Sequence, residues 1–71
     1  MRKHSVNIAG HATSISLEDA FWDALQDLAQ RRGLSMNAMI AEIDGRRGEN
    51  NLSSAIRLEI LADLQGKLAS E

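Results

Sequence analysis

Residues 11–39 read HATSISLEDAFWDALQDLAQRRGLSMNAM, and no other stretch restricts the fold as tightly. Thr13-Ser14-Ile15-Ser16 alternates with the period of a strand. From Leu17 the period changes: Leu17, Phe21, Ala24, Leu25 and Leu28 recur at helical spacing, with Trp22 beside the stripe. Arg31 and Arg32 fall in the last turn of that helix, and Gly33 suits the position just past its end. Ser35 then caps a second helix carrying Met36, Met39, Ile40 and Ile43 on its apolar side. One strand followed by two helices leaves a row of backbone groups without partners, because a sheet of one strand is not stable. The economical partner is the same strand from a second copy of the chain.

The flanks add two elements. Residues 1–10 include Val6 and Ile8 alternating with Ser5 and Asn7, and end in Ala9-Gly10, which can turn the chain. Residues 4–8 are therefore either the second strand of a hairpin with 12–16 or an arm ordered on contact with a partner. Ser16 is the expected N-cap of the first helix, with Asp19 completing a weak capping box. After the 12–44 core, GRRGENN at 45–51 reads as a polar loop in which Arg46 and Arg47 are solvated charges. A third helix is expected from Asn51 or Ser53 to about Leu68, within 51–69. Its apolar residues, from Leu52 to Leu68, cover so wide an arc that the helix should be contacted on more than one side, by its own protomer and across a dimer.

Composition narrows the function. A chain of 71 residues makes one domain, near the size where a single core is marginal. Cysteine is absent, and His4 and His11 have no ligand-spaced acids between them, so neither a metal nor a cofactor is expected. No nucleophile is paired with a base, so no enzyme is expected and no small-molecule substrate is evident. No apolar run reaches the length of a membrane span or signal peptide, which makes cytoplasmic residence the expectation. The net charge is −2, but residues 1–16 hold Arg2 and Lys3 and no acid. A basic end on an acidic body fits a molecule with one anion-facing side.

RKHSVNIAGH at 2–11, TSISLE at 13–18, FWDAL at 21–25, RGLS at 32–35, NAMIAEID at 37–44 and NLSSAIRL at 51–58 carry a resemblance. The region 11–44 resembles the Arc/MetJ/CopG ribbon-helix-helix superfamily. Residues 2 to about 64 resemble a family of small stand-alone ribbon-helix-helix proteins. The resemblance implies a mainly α fold with a short β-ribbon, here with an additional C-terminal helix. It also implies a homodimer whose two copies pair strands antiparallel into a ribbon that enters the DNA major groove. Outward side chains of the ribbon would read bases, and the start of the second helix would contact phosphate.

Phasing the strand assigns the residues. Ile15, two positions before Leu17, should face the core with Thr13, which turns Ala12, Ser14 and Ser16 outward as base-contact candidates. These are short where superfamily members usually place Arg, Lys, Gln or Asn. Arg2, Lys3, His4 and Asn7 would supply longer side chains along the groove, and Ser35 marks the phosphate site at a helix start. Ile15, Leu17, Phe21, Trp22, Leu25, Leu28, Met39, Ile40 and Ile43 are the expected dimer core. The expected function is a DNA-binding transcriptional regulator that binds double-stranded DNA. The alternative is a protein-interaction module, an antitoxin-like or adaptor dimer on the same fold.

Overall fold

The strand finds its partner within its own chain. In the computed structural model, which describes residues 1–69, β1 (Arg2–Ile8) pairs antiparallel with β2 (His11–Leu17). The hairpin alternative is thus the one realised, and no lone strand is left to require a partner copy. Ala9 (φ 51°) and Gly10 (φ 83°) form the two-residue loop. Positive φ at both central residues is the signature of a type I′ turn, whose twist matches that of the strands it joins. The Asn7 side chain holds the loop by accepting from the Gly10 N–H at 3.1 Å. The register sets Arg2 opposite Leu17, His4 opposite Ile15 and Val6 opposite Thr13, so these residues share the face turned toward the helices.

Three helices follow: α1 (Asp19–Arg31), α2 (Met36–Arg46) and α3 (Leu52–Ala69). Ser16 does not cap α1. Leu17 is still a strand residue and fully buried, so the helix starts two residues later, with Glu18 at its N-cap and no side-chain cap. At the other end Gly33 (φ 70°) and Leu34 donate to the carbonyls of Gln30 and Ala29 at 3.1 and 2.9 Å, a Schellman closure. Ser35 Oγ accepts from Ala38 N–H (3.1 Å) to start α2, and Asn51 Oδ1 accepts from Ser54 N–H (2.8 Å) to start α3.

A single protomer builds its own core from Val6, Ile15, Leu17, Leu25, Leu28, Ala29, Met39, Ile40, Ile43, Ala55, Ile56 and Ile60, with no polar residue buried among them. Seven of the residues expected at a dimer interface, Ile15, Leu17, Leu25, Leu28, Met39, Ile40 and Ile43, are therefore buried before any partner arrives. Phe21 and Trp22 pack half-buried against this cluster. The helix-closing arginines pin α3. Arg31 reaches Asp63 at 2.8 Å, Arg32 reaches Glu59 at 3.3 Å and Arg57 reaches Glu18 at 2.7 Å. Hydrogen bonds from Arg31 hold the Asp63 carboxyl below the usual aspartate range. Arg46 and Arg47 are not loop charges: α2 extends through Arg46, which pairs with Glu59 at 3.0 Å, while Arg47 pairs with Asp44 at 2.8 Å.

The turn supplies a test. Ala9 sits in the left-handed region, which costs an L-residue with a Cβ roughly 1–2 kcal/mol, and Asn-Gly is the pair that favours this turn. Ala9→Asn should therefore raise stability by about 0.5–1 kcal/mol. Urea unfolding measures it, and an unchanged or lowered midpoint would show that the loop is not held in this conformation.

Candidate nucleic-acid interface

Alternation along two paired strands gives the hairpin two unlike faces. Lys3 opposes Ser16, Ser5 opposes Ser14 and Asn7 opposes Ala12, and all six point away from the helices. All are exposed except Ser16, which is half-buried. All three base-contact candidates (Ala12, Ser14, Ser16) thus share a face with Lys3 and Asn7. Ser5 joins them although sequence reasoning passed it over. The signal was present, since a two-residue turn at Ala9-Gly10 pairs residue 5 with residue 14.

Arg2 and His4 lie on the other face. Arg2 stays exposed, with its Nε 3.6 Å from Asp19 Oδ1. His4 is stacked flat on Trp22, with ring centroids 3.7 Å apart and planes 4° from parallel. Its Nε2 is buried without a hydrogen-bond partner. His4 is a packing residue in this fold, and so is Trp22. Thr13, by register on the helix side, nevertheless remains exposed, because it borders the open groove beside β2.

The hairpin edges differ. In an antiparallel pair, alternate residues direct their N–H and C=O away from the partner. On the β1 side, Asn7 N–H donates to Asn37 Oδ1 at 3.2 Å, which brings the start of α2 alongside the ribbon. Ser35 therefore lies at this edge, and the N–H groups of Met36 and Asn37 at the helix start have no intrahelical acceptor. On the β2 side, Ser53 Oγ donates to the Ser16 carbonyl at 2.9 Å. The rest of that edge borders an open groove of about 580 Å³ flanked by Asp44, Arg47, Leu52 and Arg57. Its charges are spent on each other and on neighbours: Arg47 on Asp44, and Arg57 on Glu18 with its guanidinium 5.8 Å from the centre of the Phe21 ring.

Pairing of that kind runs through the molecule. Every arginine, and Lys67, has a carboxylate within 4.0 Å. Among the described residues, Lys3 is the one Lys or Arg side chain without such a partner, and it stands on the outer ribbon face. No acid shares that face. Among the described residues no group of three or more His, Asp or Glu is placed to hold a metal, and no helix is long and apolar enough to cross a membrane.

The strand order, the Gly33-Ser35 junction and the outward polar ribbon agree with one comparison: the family described as ribbon-helix-helix domain matches residues 1–64. The chain belongs to the ribbon-helix-helix family. No curated protein and no solved structure matches it. Ribbon-helix-helix domains generally form dimers, bind DNA and are typically not enzymes. This member differs from a bare strand-helix-helix unit in the strand β1 before its ribbon strand and the helix α3 after its core.

The stack gives this region its own test. Removing it with His4→Ala should cost about 1 kcal/mol and alter Trp22 fluorescence. His4→Phe, which keeps a flat ring and removes the unpartnered nitrogen, should match or exceed the parent in urea unfolding. A His4→Ala protein as stable as the parent would refute the packing role.

Proposed function

We propose that this ribbon-helix-helix protein is a homodimeric, cytoplasmic DNA-binding transcriptional regulator whose two-stranded ribbon enters the major groove by its outer face. One observation carries the reading: the only Lys or Arg side chain among the described residues that is not neutralised by a carboxylate, Lys3, stands on an acid-free polar ribbon face. A major groove about 12 Å wide admits two strands. Within it, Ser5, Asn7, Ser14 and Ser16 offer donors and acceptors to base edges. Lys3 meets phosphate, and so do the Met36 and Asn37 N–H groups at the start of α2, where the helix dipole favours an anion. Arg2 is recruitable, because its pair with Asp19 is exposed on both sides and such pairs are weak. Nothing in this reading requires catalysis.

Few cations make the binding salt-sensitive. About four phosphate contacts per dimer predict roughly a hundredfold loss of affinity between about 50 and 200 mM salt. Lys3→Ala should weaken binding to all duplexes alike and flatten the salt dependence, since phosphate contacts position without specifying. Ser14→Ala should change preference among duplexes and leave the salt dependence in place. Fluorescence anisotropy with a duplex pool at several salt concentrations measures all three. Absence of binding at low salt would overturn the DNA reading. It would favour the interaction module, antitoxin-like or adaptor, to which the near-complete charge pairing of the surface is the pointer.

A further inference from the structure

Helix α3 is amphipathic in the reverse of the usual sense. Toward the protomer it presents Ala55, Ile56 and Ile60, all buried, together with its two described acids, Glu59 and Asp63. Both acids are consumed there by Arg31, Arg32 and Arg46. Away from the protomer it presents Leu58, Leu61, Leu64 and Leu68, which are 53, 48, 49 and 73% exposed. At about 100° per residue the four leucines fall within an arc of roughly 120°. Arg57 and Gln65 share that arc, and Arg57 is already held by Glu18. A solvated helix carries its charges outward; this one carries leucines outward and charges inward.

We propose that a second copy of the chain covers this face, with α3 packed antiparallel on its counterpart across a two-fold axis. The ribbon strand is satisfied in cis, so the dimer expected of a ribbon-helix-helix domain needs another apolar surface here. Joining β2 to β2 of a second copy would give a four-stranded sheet about 14 Å across, wider than the roughly 12 Å groove. That edge is also partly occupied by Ser53. The leucine face is self-complementary. Its residues span about 15 Å of helix, and an antiparallel partner sets Leu58 near Leu68 and Leu61 near Leu64. Neither copy brings an acid of α3 to the seam, and the cation there, Arg57, is already paired with Glu18, so symmetry imposes little like-charge cost. The leucines alone offer roughly 400 Å² per copy, about half of what a standard interface buries on each side, with flanking side chains to supply the rest. A membrane surface fits less well, since an interfacial helix needs basic residues along its polar face, and the inward acids occupy that position here.

The proposal holds whether or not the ribbon binds DNA, and its test uses no DNA. Sedimentation of the full chain at micromolar concentration should give twice the 7.8 kDa chain mass. Leu61→Lys with Leu64→Lys should sediment as a folded monomer with its helical circular dichroism intact. Ser14→Pro, which removes an N–H from the free edge of β2 and leaves α3 untouched, should remain dimeric. Should the lysine pair cost the fold, Leu61→Ala with Leu64→Ala keeps helix propensity and should raise the dimer dissociation constant at least tenfold. A monomeric parent chain, or a dimer that persists unchanged in the leucine variants and dissociates in Ser14→Pro, would overturn the proposal. So would a monomeric parent that sediments with anionic vesicles.

Discussion

The pairing of β1 with β2 across the Ala9-Gly10 turn governs the rest of the structure. It fixes which side chains of residues 2–17 meet the helices and which meet solvent, because a slip of one residue would exchange the two faces. With this register Val6, Ile15 and Leu17 enter the core, His4 lies on Trp22, and Lys3, Ser5, Asn7, Ala12, Ser14 and Ser16 are left outward. The helices then lock the phase from both sides. Asn37 accepts from the backbone of β1, and Ser53 donates to the backbone of β2.

A second constraint is electrostatic economy. The carboxylates of α1, α2 and α3 are distributed so that each arginine finds one, and exposed pairs of this sort contribute little stability apiece. Their effect is on where charge remains. Neutralising the helix surfaces leaves the ribbon as the place where a cation stands without an acid beside it, and leaves the outer side of α3 with leucines. The molecule therefore separates a polar, weakly basic face from an apolar one.

Much of this was legible in the chain. The change of period at Leu17, the Gly33 and Ser35 punctuation and the start of α3 near Asn51 depend on local chemistry, and local chemistry is written in adjacent residues. The outward phase of Ala12, Ser14 and Ser16 followed from Ile15 and Leu17 alone. What could not be read depended on partners distant in sequence. Ala9 is a poor signal for a left-handed turn, so the hairpin and the free arm looked alike. Ser16 suited a cap locally, but pairing of Leu17 with Arg2 carried the strand past it. His4 looked like an arm residue because nothing nearby announced the ring of Trp22, and Arg46 looked solvated because Glu59 lies thirteen positions away.

On the proposed reading, the outer ribbon face and the start of α2 form one DNA-binding surface. Backbone amide chemical shifts, followed by nuclear magnetic resonance as duplex DNA is added, test it most directly. Perturbations are expected at Lys3, Ser5, Asn7, Ala12, Ser14, Met36 and Asn37, with the leucine face of α3 unmoved. Perturbations confined to α3, or none with saturating duplex at low salt, would contradict it.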